Sequence, residues 1–218
     1  MITIGVTGGV GSGKSEILKY LDQNYNCRIL MSDNAAKELE KPGGVLYGPL
    51  IELLERYAEG TDCGPILEKN GEIVKTEMAR RIFLNRELLE EVNMLVHPAV
   101  NQYILDEIDR ERKAGEREFF VLESALLVEN GYDRIVDSMW YIYCSEEERY
   151  KRLKASRGYS DEKIRSIIGH QVSDAQFRAS CDIVIDNTGE LTAFDGALRQ
   201  VDEAIRLLRD KFGDRTKE

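Results

Sequence analysis

The stretch ITIGVTGGVGSGKSE (residues 2–16) passes from apolar and β-branched residues into a glycine-rich turn and then into a helical pattern. The turn has the form G-x-x-x-x-G-K-[ST] and lies between a buried strand and a helix, as that motif requires. Glycines let the main chain approach phosphate closely, and the free N–H groups at a helix start favour an anion. Lys14 is expected to reach the β- and γ-phosphates, and Ser15 to hold Mg²⁺. The sequence therefore predicts a nucleoside-triphosphate site, which ATPases, GTPases and kinases share, formed by Gly8, Gly9, Val10, Gly11, Ser12, Gly13, Lys14, Ser15 and Glu16.

The composition is that of a globular protein, with 42% hydrophobic and 32% charged residues among 218. The formal charge of -10 argues against nucleic acid as the main partner, because binding a phosphate backbone needs a basic face. Four widely spaced cysteines without a C-x-x-C pair are typical of free thiols in a reducing compartment. The sequence shows no signal segment and no apolar run of membrane-spanning length. We therefore expect a cytoplasmic protein without a membrane partner, as a monomer or a small homo-oligomer.

Strand-like runs alternate with helical stretches, which predicts an α/β fold with a parallel sheet covered on both faces. The expected architecture is a three-layer α/β/α sandwich of the P-loop type, with five parallel strands. The predicted strands are Ile2–Val6, Cys27–Met31, Phe119–Glu123, Ser138–Cys144 and Asp182–Asp186. The predicted helices are Lys14–Gln23, Asn34–Glu40, Val45–Ala58, Glu146–Ala155, Asp161–Val172 and Leu191–Lys211.

A long insert, residues 41–118, separates the second predicted strand from the third. It contains a turn signal at Asn70-Gly71 and then a largely helical stretch that we expect to be interrupted or bent at Pro98. So much helix exceeds what one crossover needs, which predicts a helical substrate-binding subdomain over the site. The nucleotide-binding core is then predicted at 1–40 and 119–212, with an arginine lid at about 149–172 and a flexible tail at 213–218.

Asp33 follows the second predicted strand, and residues just beyond the carboxyl ends of parallel strands face the ligand crevice. A carboxylate there is suited to accept the proton of an attacking hydroxyl group. Asp is also a favoured N-cap, so the pattern equally permits Asp33 to cap a helix starting at Asn34.

Two further groups are candidates for phosphate chemistry. Glu123 ends the third predicted strand, where a carboxylate commonly positions magnesium, although an ordinary polar strand end gives the same pattern. Arg152 and Arg157 are candidate lid arginines, because a guanidinium can neutralise charge on a phosphoryl group in transit. The alternative is a solvated helix with ion pairs such as Glu148–Arg152, and Arg149 fits that alternative better.

Six stretches carry a family resemblance that spans nearly all of residues 2–190 in order. They are GVTGGVGSGKS, SDNAAKELEKPG, ARRIFLN with VNMLVHP, LLVENG, the glutamine of IIGHQ, and CDIVIDNTG. They resemble the dephospho-coenzyme A kinase family, which has G-L-T-G-G-I-G-S-G-K-S, a general-base aspartate after the second strand, R-x-x-I-F…L-x-x-x-x-H-P, P-L-L-F-E, a glutamine after the lid, and A-D-x-V-I-x-N-x-G.

The resemblance implies transfer of the γ-phosphoryl group of ATP, with Mg²⁺, to the ribose 3′-hydroxyl of dephospho-coenzyme A. It identifies Asp33 as the base, places Arg81 and His97 on the substrate side, and puts Glu129 at the family's glutamate. The insert would hold the pantetheine end of the acceptor.

The chain departs from the family's pattern at a few positions, including Met31, where the family often has a first carboxylate, and Ala125, where it has proline. Lys14, Ser15 and Asp33 are all retained. Two alternatives remain open: another P-loop kinase of small molecules or nucleotides, and a non-catalytic ATP-binding paralogue, for which Met31 is the only hint.

Overall fold

The computed structural model describes residues 1–58, 63–128, 131–189 and 194–213. Its centre is a five-stranded sheet whose strands lie within one residue of the predicted bounds, which confirms the predicted α/β class. The strands are β1 (Ile2–Thr7), β2 (Cys27–Met31), β3 (Phe119–Glu123), β4 (Ser138–Tyr143) and β5 (Ile183–Asp186).

The strands lie in the order β2-β3-β1-β4-β5. β1 pairs in parallel with β3, from Ile2 opposite Phe119, and with β4, from Ile4 opposite Ser138. β4 also pairs in parallel with β5. Because the carboxyl ends of parallel strands share one edge, the ends of β1, β3 and β4 come together where such sheets bind ligands.

A hydrophobic core packs against one face of the sheet, where Ile2, Ile4 and Val6 of the central strand point. All six residues of β1 are buried. Helices α1 (Lys14–Asn24) and α9 (Phe194–Phe212) contribute to the same cluster, and each fully buried aliphatic side chain stabilises the fold by about 1.5–3 kcal/mol. The strand that leads into the glycine-rich turn is thus fixed by packing within this cluster, whose members include Ile2, Ile4, Val6, Ile17, Leu21, Trp140, Val201 and Ile205.

The remaining helices are α2 (Ser32–Leu39), α3 (Tyr47–Arg56), α4 (Lys75–Leu84), α5 (Arg86–Ala114), α6 (Glu146–Arg157), α7 (Asp161–Gly169) and α8 (Asp174–Ser180). Helix α8 was not predicted from the sequence, because its seven residues are too few to show a clear helical periodicity of apolar positions. Its start is fixed by a capping box between Ser173 and Gln176. Residues 191–193, at the predicted start of the last helix, and the predicted tail from 214 lie outside the described residues.

The predicted interruption at Pro98 is wrong, because α5 runs through this proline without a break. The break in the helical stretch lies at Asn85, whose side-chain oxygen accepts the Leu88 N–H in the manner of an N-cap. Proline removes one helical hydrogen bond, here to the Met94 carbonyl. Since Met94 and Pro98 are both exposed, water can reach that carbonyl, which makes the proline tolerable.

The chain divides into two compact units, residues 1–30 with 108–218, and residues 31–107. The second unit has its own core between α3, α4 and α5, made of Leu50, Leu53, Leu54, Ile66, Ile73, Leu88 and Val92. The predicted turn at Asn70-Gly71 is confirmed: Leu67 bridges Ile73 across it, and Gly71 has a φ of 84°. Within the described ranges, no helix is long and apolar enough to cross a membrane.

Candidate active site

The phosphate loop, defined here as Gly8–Ser15, connects β1 to α1. Its conformation requires glycine at both ends. A Cβ at Gly8 would lie 2.5 Å from the Ile142 carbonyl oxygen, a main-chain atom that cannot move aside. Gly13 has a φ of 88°, and a Cβ there would overlap the Asn187 amide nitrogen. The glycines of the motif therefore serve the packing of the loop against β4 and the end of β5, as well as the approach of a ligand.

Lys14 folds back over the loop. Its Nζ donates a hydrogen bond to the Gly8 carbonyl at 2.7 Å, approaches the Gly9 carbonyl at 3.5 Å, and lies 3.9 Å from Glu123 Oε1. Glu123 ends β3 opposite Val6 and is 8% exposed. One cation and one buried carboxylate therefore stand together at the end of the sheet where β1 and β3 are neighbours.

The oxygen atoms near the loop suit a hard divalent cation. Ser15 lies exposed in the first turn of α1, followed by the exposed Glu16, while Glu123 supplies a carboxylate. Magnesium prefers oxygen ligands and, beside phosphates, usually takes only one or two from the protein. In the part of the chain that the structure describes, no group of three or more His, Cys, Asp or Glu residues could hold a metal. The donors present fit a magnesium ion shared with bound phosphates.

Arg149 contacts the loop directly, so its interpretation as a solvated helix residue is wrong. Its Nε donates to the Val10 carbonyl at 2.9 Å, and its guanidinium also donates to Gln171 Oε1. Gln171 Oε1 in turn accepts the Val10 N–H at 3.3 Å. The guanidinium lies so close to Gly9 that a Cβ on this glycine would come within 2.5 Å of its central carbon.

Arg152 lies on the same face of α6 as Arg149, three residues further on. It donates to the carbonyls of Asn187 and Gly189 at 2.9 Å each and reaches the Ser12 carbonyl at 3.5 Å. Its predicted pair with Glu148 is confirmed at 3.4 Å. The buried Asn187 donates to the same Ser12 carbonyl at 2.8 Å. The sequence motif that contains Asn187 did not reveal this role. For Arg149, the available signal was its spacing of three residues from Arg152, which places both side chains on one face of a helix.

Arg157 is exposed at the last residue of α6, before the left-handed Gly158. Its guanidinium lies 5.9 Å from the centre of the Tyr159 ring, with Lys163 Nζ 3.9 Å from the same ring. A hydrogen bond from Arg157 lowers the pKa of the Tyr159 hydroxyl. Among the predicted lid arginines, the structure thus brings Arg152 to the loop and shows Arg157 against Tyr159.

Asp33 belongs to the second unit. Helix α2 begins at Ser32, with Met31 in the N-cap position and without a side-chain cap. Asp33 is therefore the second residue of the helix, and the interpretation as an N-cap is wrong, since a cap precedes the first helical residue. Its side chain is exposed and carries its charge into the first turn, where the helix dipole favours an acid.

The predicted substrate-side residues also lie in the second unit, except for Glu129, which lies outside the described residues. Arg81 is 7% exposed and bonded at each nitrogen: Nε to Glu77, one terminal nitrogen to the Leu54 carbonyl and the other to the Gly64 carbonyl. The guanidinium therefore ties α4 to the end of α3 and to the segment that follows. His97 is half-buried within α5.

We expect the Glu77 carboxylate to make folding stability depend on acidity. Hydrogen bonds from Arg80 and Arg81 hold the pKa of this group at about 2, against an ordinary value of 4.5. A lowered pKa contributes stability that is complete above the ordinary value and is lost as the pH falls toward the folded-state value. The stability difference between the wild type and Glu77→Gln should therefore shrink as the pH falls from about 4.5 toward about 2.

Urea unfolding of both proteins at stepped pH measures this difference. Glu90→Gln, which breaks the exposed Arg86–Glu90 pair, controls for the loss of a surface ion pair. A difference that stays constant from neutral to strongly acidic pH would contradict the coupling of Glu77 to the two arginines.

Comparisons with known proteins agree with this geometry. Residues 2–193 match a family model described as dephospho-CoA kinase. A dephospho-CoA kinase from Carboxydothermus hydrogenoformans is 32% identical over 188 residues, which are 86% of either chain. One from Corynebacterium diphtheriae is 30% identical over 201 residues, covering 92% of this chain and 96% of that protein. A crystal structure of a Thermus thermophilus protein superimposes with a TM-score of 0.73 at 26% identity, covering 94% of this chain and 96% of the other.

Proposed function

The chain belongs to the dephospho-CoA kinase family, and from this membership we infer that it transfers the γ-phosphoryl group of ATP to dephospho-coenzyme A. The 3′-oxygen of the acceptor ribose forms the new bond to phosphorus, and the bond from phosphorus to the β,γ-bridging oxygen breaks. The products are coenzyme A and ADP, so the enzyme is a kinase of the last step in coenzyme A synthesis. The observation that carries this function is the match over residues 2–193, because it includes both the phosphate loop and the insert.

The donor side of the reaction is proposed to lie at the phosphate loop. Phosphoryl transfer is catalysed mainly by positioning and by neutralising charge on the phosphate oxygens. Lys14 suits this role, because its ammonium is already held over the loop by the Gly8 carbonyl. Arg149 and Arg152 add positive charge at the same loop in a protein of net charge -10, which favours a polyanion there.

Ser15 and Glu123 are the residues we propose for magnesium. When bound, the ion would neutralise negative charge that develops on the phosphate groups. Support comes from the donor set, a hydroxyl group and a buried carboxylate, and from the place of Glu123 at the end of β3.

Asp33 is proposed as the general base that takes the proton of the 3′-hydroxyl group as the new bond forms. It lies two residues beyond β2, the neighbour of β3 in the sheet. Helix capping, the alternative reason for an aspartate at this position, does not apply, because Met31 occupies the N-cap position of α2. The Asp33 side chain is also exposed, so an acceptor hydroxyl group can reach the carboxylate.

The two lid arginines receive different proposed roles. Arg152 acts by holding the loop, because its terminal nitrogens are bonded to main-chain carbonyls. Arg157 is exposed beside a left-handed glycine, so it is the better candidate to contact the transferred phosphoryl group.

The acceptor side is proposed to lie on the insert, with His97 near the acceptor. Arg81 would act there by shaping the insert, since its nitrogens are bonded within it. We also propose a cytoplasmic location, which the four free cysteines support because reducing conditions preserve thiols.

The experiment that tests the function measures ADP release with different acceptors. We expect dephospho-coenzyme A to stimulate ADP release strongly, and adenosine and other nucleosides to leave it near the rate without an acceptor. Equal stimulation by a nucleoside would instead identify a kinase of another acceptor, and no stimulation by dephospho-coenzyme A would refute the proposal.

A further inference from the structure

One residue of the phosphate loop, Val10, is held by both of its main-chain polar groups. The Val10 carbonyl accepts from Arg149 Nε at 2.9 Å, and the Val10 N–H donates to Gln171 Oε1 at 3.3 Å. Arg149 and Gln171 also bond to each other. The main chain of Val10 and the two side chains thus form a closed ring of hydrogen bonds.

The two anchors lie at opposite ends of one segment of chain. Arg149 is in the first half of α6, and Gln171 lies two residues after α7 ends. Between them are the end of α6, the left-handed Gly158 and all of α7, which together make up the predicted lid. The lid therefore begins and ends at the same residue of the phosphate loop, Val10.

Arg149 also fits against the loop by shape. The guanidinium occupies the space that a side chain at Gly9 would need, and the Cβ of a residue at Gly11 would lie 3.2 Å from the Arg149 carbonyl oxygen. The contact is thus made by a planar group lying on bare main chain, which a lysine ammonium cannot reproduce.

We propose that Arg149 and Gln171 are positioning residues that couple the lid to the phosphate loop through the main chain of Val10. This inference rests on the proposed kinase function and adds a role that family resemblance does not supply for Arg149. The two anchors bind adjacent peptide groups that meet at the Val10 Cα, so a change in the backbone conformation of Val10 disturbs both, and the conformations of the loop and the lid change together. A lid that closes only over an ordered loop excludes water and so favours the acceptor hydroxyl over hydrolysis.

The test compares transfer with hydrolysis in the full-length enzyme. Arg149→Ala is expected to lower kcat/KM for ATP by about tenfold and to raise the ratio of acceptor-free ADP release to acceptor-dependent transfer by about tenfold. Gln171→Ala should act in the same direction. Because both residues hold the main chain of Val10 and bond to each other, the double variant should resemble the more damaged single variant, with effects that do not multiply.

Two further variants separate positioning from charge and from folding. Arg149→Lys keeps the charge but loses the planar group, so it should restore ATP affinity without restoring the ratio. Arg206→Ala removes an equal charge from the exposed face of α9, where Arg206 pairs with Glu203 and Asp210, and should leave the ratio unchanged. Thermal unfolding of each variant identifies any loss of fold.

Three results would overturn the inference: a normal ratio in Arg149→Ala, a normal ratio in Arg149→Lys, or effects that multiply in the double variant. Failure of the proposed function gives a different result, because the unmodified enzyme would then show no ADP release that depends on dephospho-coenzyme A.

Discussion

Replacing Asp33 with Asn is expected to abolish turnover while ATP affinity stays within a few-fold of the wild type. The amide has nearly the shape of the carboxylate but cannot accept the proton of the acceptor hydroxyl group, and removing a general base typically costs about 10²- to 10⁴-fold in rate. ATP is proposed to bind at the phosphate loop, which this substitution leaves intact, so the Kd of ATP should change little. Measured together, kcat for coenzyme A formation and the Kd of ATP give this separation.

A matched control is Asp195→Asn, which also removes an exposed acid from the first turn of a helix. If Asp33 serves only the helix dipole, both variants should lose about 0.3–1 kcal/mol of stability and keep their activity. An unchanged kcat in Asp33→Asn would therefore reject the assignment of this residue as the base.

Lys14→Ala should damage binding and catalysis together. The Lys14 ammonium is the cationic side chain of the motif, and it is suited to stabilise negative charge on the phosphate oxygens during transfer. Losing a single electrostatic group of this kind costs about 10²- to 10³-fold in kcat. We expect the Kd of ATP to rise as well, because the same cation contacts the bound nucleotide. Steady-state kinetics with ATP as the varied substrate, combined with calorimetric binding, distinguish this pattern from that of Asp33→Asn.

Lys19→Ala serves as the control, since Lys19 is an exposed lysine of the same helix. It tests whether a general loss of positive charge near the loop suffices to weaken binding. A Lys14→Ala enzyme with normal kcat and weakened ATP binding would mean that the ammonium contributes only to ground-state affinity.

The strands and the phosphate loop could be predicted because their signals are local. A run such as Phe119–Glu123 is buried on both faces and reads as continuously apolar until its final carboxylate. The loop is defined by residue types that its own backbone requires, as Gly13 illustrates with its positive φ. The candidate site residues Asp33 and Glu123 could be located because residues at the carboxyl ends of parallel strands face the ligand crevice.

Contacts made across the fold were not accessible in this way. Three glutamates, Glu146–Glu148, directly precede Arg149, and Glu146 has helical spacing to it, so a surface ion pair was the natural interpretation of this arginine. Its actual partners, Val10 and Gln171, are 139 and 22 residues distant along the chain. Arg81 is similar, because its bond to the Leu54 carbonyl depends on how α3 and α4 pack. The continuation of α5 through Pro98 was not predictable for another reason: the exposure that makes the lost helical bond tolerable is not visible in a local pattern.

The order of the strands has a consequence for how the enzyme is made. Every neighbouring pair in the sheet includes β3 or a strand that follows it in the chain, so none of these ladders can form before Phe119 has been synthesised. At a translation rate of about 5–20 residues per second, β1 waits several seconds or more for its first partner. Throughout that interval Ile2, Ile4 and Val6 lack the neighbours from β3, β4 and α9 that complete their burial. A nascent chain that stalls within the insert would therefore display an apolar segment to chaperones and would have no nucleotide site.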